Sequence, residues 1–312
     1  MRVFSKFLLV VLFFFGMVCG TDTYAQDTQD PHRFDPPWND PPEAAINFTI
    51  PGINNVPDLY GDIVDPQLVI FFAGNQFMCL DELLAGFKHK HPEIQRIFAE
   101  TLPPGILAKQ IKGGSLTIGN LHITHQPDIY TAGQGGISTM EDYLDRTEVY
   151  AYNQLSLMVP KGNPKNIQAL ADLERPDVRI SMPNPAWEGI GRQIESSYRK
   201  AGGEDLYEAI MARKVDDGST YLTRIHHRES PLRILLGDAD VAPVWTSEVA
   251  YQRSIGHPVE EVVIPAEQNS RATYVAGKLK KAPHPEAAEL FMDYLISDEA
   301  RAIYRKYGFE TN

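Results

Sequence analysis

Two uncharged amides, Asn75 and Gln76, stand where an apolar run gives way to a helical apolar pattern in LVIFFAGNQFMCLDELLAGFKHKHPE. Each side chain both donates and accepts hydrogen bonds. At a strand-to-helix junction they lie beside unpaired backbone N–H groups at the positive end of a helix dipole, a natural place to hold an anion. The same position suits Asn75 as an N-cap for a helix beginning near Phe77. A second cluster, His226-His227-Arg228-Glu229, precedes a helix that Ser230-Pro231 begins. Arg228 could clamp a carboxylate, phosphonate or sulfonate with two parallel hydrogen bonds, with His226 beside it. Adjacent histidine side chains rarely converge on one ion, so this pair does not define a metal site. Met78 and Cys79 would suit a soft metal only if His226 and His227 faced Cys79; inside a helix they read as core fillers. Trp187, Trp245 and Tyr221 are aromatics of the kind that line ligand clefts.

Enzyme motifs are missing: there is no G-x-S-x-G, no H-E-x-x-H and no P-loop. Asp216-Asp217 and the Asp238/Asp240 pair read as turn residues. No catalytic residue, metal or cofactor is assigned; an enzyme would need a base in the cleft. With 41 acidic against 29 basic residues the chain carries a formal charge of −12, which disfavours nucleic acid as a partner.

The elements that must position these residues alternate. Residues 68–73 form a continuous apolar strand; Leu80, Leu83, Leu84 and Phe87 follow at i, i+3, i+4 and i+7, an amphipathic helix ending before Pro92. IQRIFAE, PDIYTA, NQLSLMVPKGN, VRISMPNP, ADVAPVWT, EEVVIPAEQ and ATYVAGKL read as further strands, interleaved with a turn and short helix in PPGILAKQIKGG that puts Leu107 and Ile111 on one face, and with helices at 188–199 (stopped by Gly202-Gly203) and 231–236. Two helices close the chain at 285–296 and 298–307, the second capped by Ser297 and ended by Gly308. This alternation implies an α/β fold with a mostly parallel sheet, whose ligands sit at the carboxyl ends of the strands.

The beginning of the chain reads as a secretory signal peptide over residues 1–25. Arg2 and Lys6 precede an apolar stretch at 7–18, shorter than the roughly 20 residues a membrane-spanning helix needs, and Thr23-Tyr24-Ala25 offers a cleavage site before Gln26. Val18 stands where a lipoprotein signal before Cys19 wants Gly, Ala or Ser. Residues 26–66 form a Pro-rich arm with little periodicity. Cleavage leaves Cys79 as the single cysteine, so the fold must stand on its core without an internal disulfide.

From 68 to 309, the strand–AGNQF–helix junction, HPEIQRIFAETLPPGILAKQI, NQLSLMVPKGNPKNI with VRISMPNP, and LLGDADVAPVWTSEVA resemble the periplasmic solute-binding proteins of ABC transporters, type II fold, nearest the molybdate- and tungstate-binding branch. The resemblance implies two α/β lobes joined by two crossovers, near 149–153 and 262–273: residues 67–150 and 263–312 as lobe one, 151–262 as lobe two. It also implies a ligand site built from four loops: Gly74-Asn75-Gln76, Pro103-Pro104-Gly105, Trp187-Glu188-Gly189 and Trp245-Thr246. The expected site residues are Asn75, Gln76, Gly105, Glu188, Gly189, Trp245 and Thr246 from these loops, with His226 and Arg228 from the stretch that the resemblance does not explain. The implied function is capture of a small anion, such as molybdate or tungstate or a small organic anion, by a monomeric periplasmic protein that hands it to a membrane ABC permease. A sensor-type protein feeding a membrane receptor and a periplasmic metal-binding protein are the other readings.

The mature protein is expected to begin near Gln26 and to fractionate with the periplasm; intact-mass measurement that finds Met1 retained, or a lipid on Cys19, would overturn this.

Overall fold

The computed structural model describes residues 59–118, 121–186, 188–224 and 229–312. The expected signal sequence, nearly all of the Pro-rich arm, Trp187 and the His226-His227-Arg228 cluster lie outside the described residues. The strands are β1 (Leu59–Gly61), β2 (Leu68–Phe71), β3 (Ile97–Glu100), β4 (Leu116–Ile118), β5 (Leu121–Ile123), β6 (Ile129–Gly133), β7 (Leu144–Pro160), β8 (Ile180–Met182), β9 (Thr220–Leu222), β10 (Ala242–Trp245), β11 (Val259–Val263) and β12 (Arg271–Leu279). The helices are α1 (Leu80–Lys90), α2 (Pro104–Gly113), α3 (Gln134–Ser138), α4 (Gly189–Glu208), α5 (Lys214–Asp216), α6 (Glu229–Leu236), α7 (Thr246–Ser254), α8 (Pro285–Leu295) and α9 (Asp298–Lys306).

β2 explains the first half of the fold. All four of its residues are buried, because Leu68 and Ile70 face one apolar cluster while Val69 and Phe71 face another. A strand covered on both faces must be a continuous apolar run, and its neighbours β3 and β6 pair with it in parallel. α1 packs its Leu83, Leu84 and Phe87 on one side, where Phe87 meets Phe291 of α8 edge to face at 4.9 Å between centroids. Asp81 and Glu82 in its first turn, and Lys88, His89 and Lys90 in its last, complement the helix dipole. β1, the end of the arm, adds antiparallel to β3 at the sheet edge.

β7 explains the second half. Its residues up to Gln154 pair antiparallel with β12, which in turn pairs with β6. From Leu155 onward it pairs instead with β10 on one side and β11 on the other. β8 and β9 pair in parallel and join β10 through a bridge between Ile180 and Val241. One strand thus belongs to two sets of neighbours, and the partner change falls between Gln154 and Leu155. The segment between β11 and β12 runs back beside this point. There Asn269, almost fully buried, accepts from the Leu155 N–H at 3.0 Å and donates to the Leu155 carbonyl at 2.8 Å. It stands in for a ladder partner where β7 has none.

α4 runs on past Gly202-Gly203, but the glycines break its backbone: Gly203 has φ +69°, a conformation disfavoured for other residues. At its other end, a side chain at Gly191 would meet the Pro183 carbonyl and the Pro185 backbone at 2.6–2.7 Å, so glycine there lets α4 dock against loop 183–185. The hairpin β4–β5 and helix α7 go beyond the elements read from the sequence.

Replacing Asn269 with Ala is expected to lower unfolding free energy by about 1–3 kcal/mol, because the buried Leu155 N–H and C=O lose their partners; urea unfolding with an unchanged midpoint would show that water satisfies them instead.

Candidate functional site

Three helical N-termini line one cavity of about 120 Å³, and a fourth helix follows one of its wall residues. The first belongs to a short 3₁₀ helix, Gly74–Cys79, which β2 delivers; the Ala73 N–H donates to Thr131 Oγ1 at 2.9 Å and fixes the approach of the loop. The second is α2, begun by Pro104, the third α4, begun by Gly189, and the fourth α7, which follows Trp245 directly. None of the four has a side-chain cap, whereas α9 is capped by Ser297. First-turn N–H groups have no partner inside their own helix.

Asn75 lines the cavity, but not as a cap. The helix begins one residue before it, with Ala73 at the N-cap, and the Asn75 amide donates to the Tyr274 hydroxyl. Gln76 does not line it: fully buried, it donates to the Tyr150 hydroxyl and accepts from the Tyr304 hydroxyl at 3.1 Å. Its amide braces the loop from behind. Glu188 and Gly189 both line the cavity, as does Trp245, which meets Tyr274 edge to face at 6.3 Å. Gly105 lies further out, on the wall of an adjoining chamber. Thr246 starts α7 beside Trp245 without lining either space. His226 and Arg228 lie outside the described residues. Tyr221 stacks under the Arg233 guanidinium at 3.7 Å rather than in the cavity, and Cys79 is a core thiol whose Sγ donates to the Gln76 carbonyl at 3.1 Å. Burial pushes that thiol well above its usual pKa.

Pro103 and Pro104 of the expected second loop line the cavity, and residues that sequence reasoning passed over complete the wall: Tyr274, Gln193, Ile190, Ala272 and Gly133. Gln193 was findable, since it follows Gly189 by one helical turn; Tyr274 was not, because it arrives from a strand 199 residues away from Asn75.

The electrostatics of the cavity are unusual for a polar site: no lysine, arginine or histidine among the described residues lines it. Its one ionisable carboxyl, Glu188, is buried. Its Oε1 accepts from the Thr223 hydroxyl and from the Asn184 N–H at 3.2 Å. Burial pushes its pKa up to about 7, against the opposing pull of those two hydrogen bonds. Such a site can hold negative charge with backbone dipoles and can offer a protonated carboxyl as a further donor.

Residues 68–310 match the family of bacterial extracellular solute-binding proteins, and the chain belongs to that family. A putative ABC transporter substrate-binding lipoprotein of Bacillus subtilis is 25% identical over 246 residues, covering 78% of this chain and 85% of that protein. A sulfate-binding protein of Synechococcus elongatus is 26% identical over 161 residues, which is 50% of this chain and 46% of the relative. The structure is also similar to the periplasmic molybdate-binding protein of Azotobacter vinelandii, with TM-score 0.64 and 17% identity over 78% of this chain and 99% of that one. The fold is thus the type II arrangement that the sequence resemblance implied.

A raised carboxyl pKa means that the Glu188 contribution to stability is fully present below about 4.5 and is lost as pH rises through about 7. Glu188→Gln keeps the acceptor oxygen without the charge. Melting temperatures of variant and wild type should therefore diverge between pH 5 and pH 8, with the variant the more stable at the upper end; parallel curves would show that Glu188 does not titrate in this window.

Proposed function

We propose that this protein is the substrate-binding component of an ABC-type uptake system, and that it captures a small oxyanion-bearing solute in the cavity between Asn75, Glu188 and Trp245. The observation that carries this reading is the convergence of three uncapped helical N-termini on one small cavity that, among the described residues, has no basic lining. An anion there is neutralised by fixed dipoles, so no lysine or arginine need be desolvated with it. Glu188, held near half protonation at neutral pH by burial, can donate its O–H to an oxyanion; ionised, it would repel one. The relatives' named ligands, sulfate and molybdate, belong to the same chemical class.

The two sets of strands that share β7 would act as the two lobes, 67–150 with 263–312 and 151–262. Walls from both contribute to the cavity, Asn75 and Tyr274 from the first and Glu188 and Trp245 from the second. A ligand touching both sets favours the closed arrangement, because only that arrangement makes every contact. The closed form is what a membrane permease would receive, with the exported protein acting as a monomer.

Thermal-shift measurement against sulfate, molybdate, tungstate, phosphate and small carboxylates tests this. A true ligand at about 100 times its Kd should add roughly 2.7 kcal/mol, several degrees in melting temperature for a chain of this size. Asn75→Ala should then weaken binding by about 1–3 kcal/mol, because it removes a polar wall of the cavity and one of the Tyr274 hydroxyl's two side-chain partners, leaving Asn153. No stabilisation by any anion, or equal affinity in the variant, would count against the site.

A further inference from the structure

The small cavity opens into a second chamber of about 870 Å³, and the two share walls at Pro104, Gly133, Gly189, Gln193 and Ala272. A bare tetrahedral oxyanion needs only the inner space. The outer one is in the size range of pockets that enclose whole organic molecules.

Its chemistry differs from that of the inner cavity. One face of α4 lines it, with Arg192, Ser196 and Lys200 at i, i+4 and i+8. Neutral polar residues face them, Gln134 and Thr139 on one side and Asn269, Ser270 and Thr273 on the other. Three cations border the chamber and, among the described residues, no carboxylate does. That is the reverse of the whole chain, where acids outnumber bases by 41 to 29. One of the three cations is already committed: Arg271 pairs with Glu310 at 3.0 Å and stacks on Tyr152 at 3.6 Å. The other two are held by neutral groups. Arg192 Nη1 donates to the Pro185 carbonyl at 2.8 Å, and Lys200 Nζ donates to the Asn269 carbonyl at 2.5 Å and lies 3.5 Å from Ser270 Oγ. Carbonyls orient these side chains along the chamber wall without cancelling their charge, and both retain donors, since a guanidinium has five N–H bonds and an ammonium three.

We infer that the solute is an extended organic anion, with an oxyanion head in the inner cavity and a second negative group in the outer chamber, received by Arg192 and Lys200. A phosphorylated or sulfated small carboxylic acid is the class that meets both demands. This rests on the oxyanion reading of the inner cavity and adds to it. The competing role for two exposed cations at a cleft mouth is steering, which would raise the association rate of every anion alike and fade with salt.

The test is calorimetric titration of the mature protein with two probes, methyl phosphate and a three-carbon phosphorylated carboxylic acid, in wild type, Arg192→Ala and Lys200→Ala. Both side chains are exposed, so neither variant threatens the fold. Wild type should bind the carboxylate-bearing probe at least about tenfold more tightly than methyl phosphate, the size of one hydrogen bond to a charged group. Each variant should lose most of that preference and leave methyl phosphate unchanged. Wild-type binding of both probes with equal affinity, or variants that weaken both equally, would overturn the second subsite and leave the inner oxyanion site standing. Binding of methyl phosphate alone would likewise overturn only the second subsite, and binding of neither probe to wild type would overturn both.

Discussion

β7 is one uninterrupted strand that satisfies its backbone donors and acceptors against two different sets of neighbours, and the site depends on that. Trp245 ends β10, which is registered against Leu155 of β7; Tyr274 lies on β12, registered against Ala151. Two aromatics from separate sheets therefore meet at the cavity because each is measured off the same strand, a few residues apart. The change of partner leaves a gap in the ladder, and a buried backbone group without a partner is costly. Asn269 fills that gap with an amide that copies the pattern of a strand neighbour. The C-terminal segment adds a second brace: Glu310 exchanges both backbone hydrogen bonds with Tyr152.

The cavity and the chamber outside it divide the electrostatic work. Inside, apart from the Glu188 carboxyl, the polar atoms belong to the backbone and to neutral side chains, which carry little desolvation cost when the site is empty or filled. Outside, full charges stay near water, where hydration limits their cost and their reach. The placement fits an acidic protein that must nonetheless receive a negatively charged solute: the long-range repulsion of the whole chain is countered locally at the mouth, and short-range dipoles take over within.

Much of the fold was legible because its periods are strong. β2 is a continuous apolar run because it is covered on both faces, α1 shows a clean 3.6-residue stripe, and α9 carries its cap and acidic first turn in plain view. β7 was read short because its first half alternates exposed and half-buried residues in DRTEV, which resembles a loop until β12 supplies the pairing. The site was legible where a strand hands over to a helix, hence Asn75, Glu188, Gly189 and Trp245. Which of two neighbouring amides faces the cavity was not. Asn75 and Gln76 are equivalent in type, and only the turn of a 3₁₀ helix, against tyrosines from β7, α9 and β12, sends one into the cavity and the other into the core.

Trp245 is one of three tryptophans in the chain, the others being Trp38 and Trp187. Nearly buried, on the cavity wall and edge-on to Tyr274, its indole sits in a mostly apolar setting whose polarity and water content must change when a solute enters. The protein thus carries its own optical gauge of occupancy: emission from one native side chain, compared with that of a chain in which Trp245 is replaced by Phe, would track filling and emptying of the cleft in real time without any attached dye.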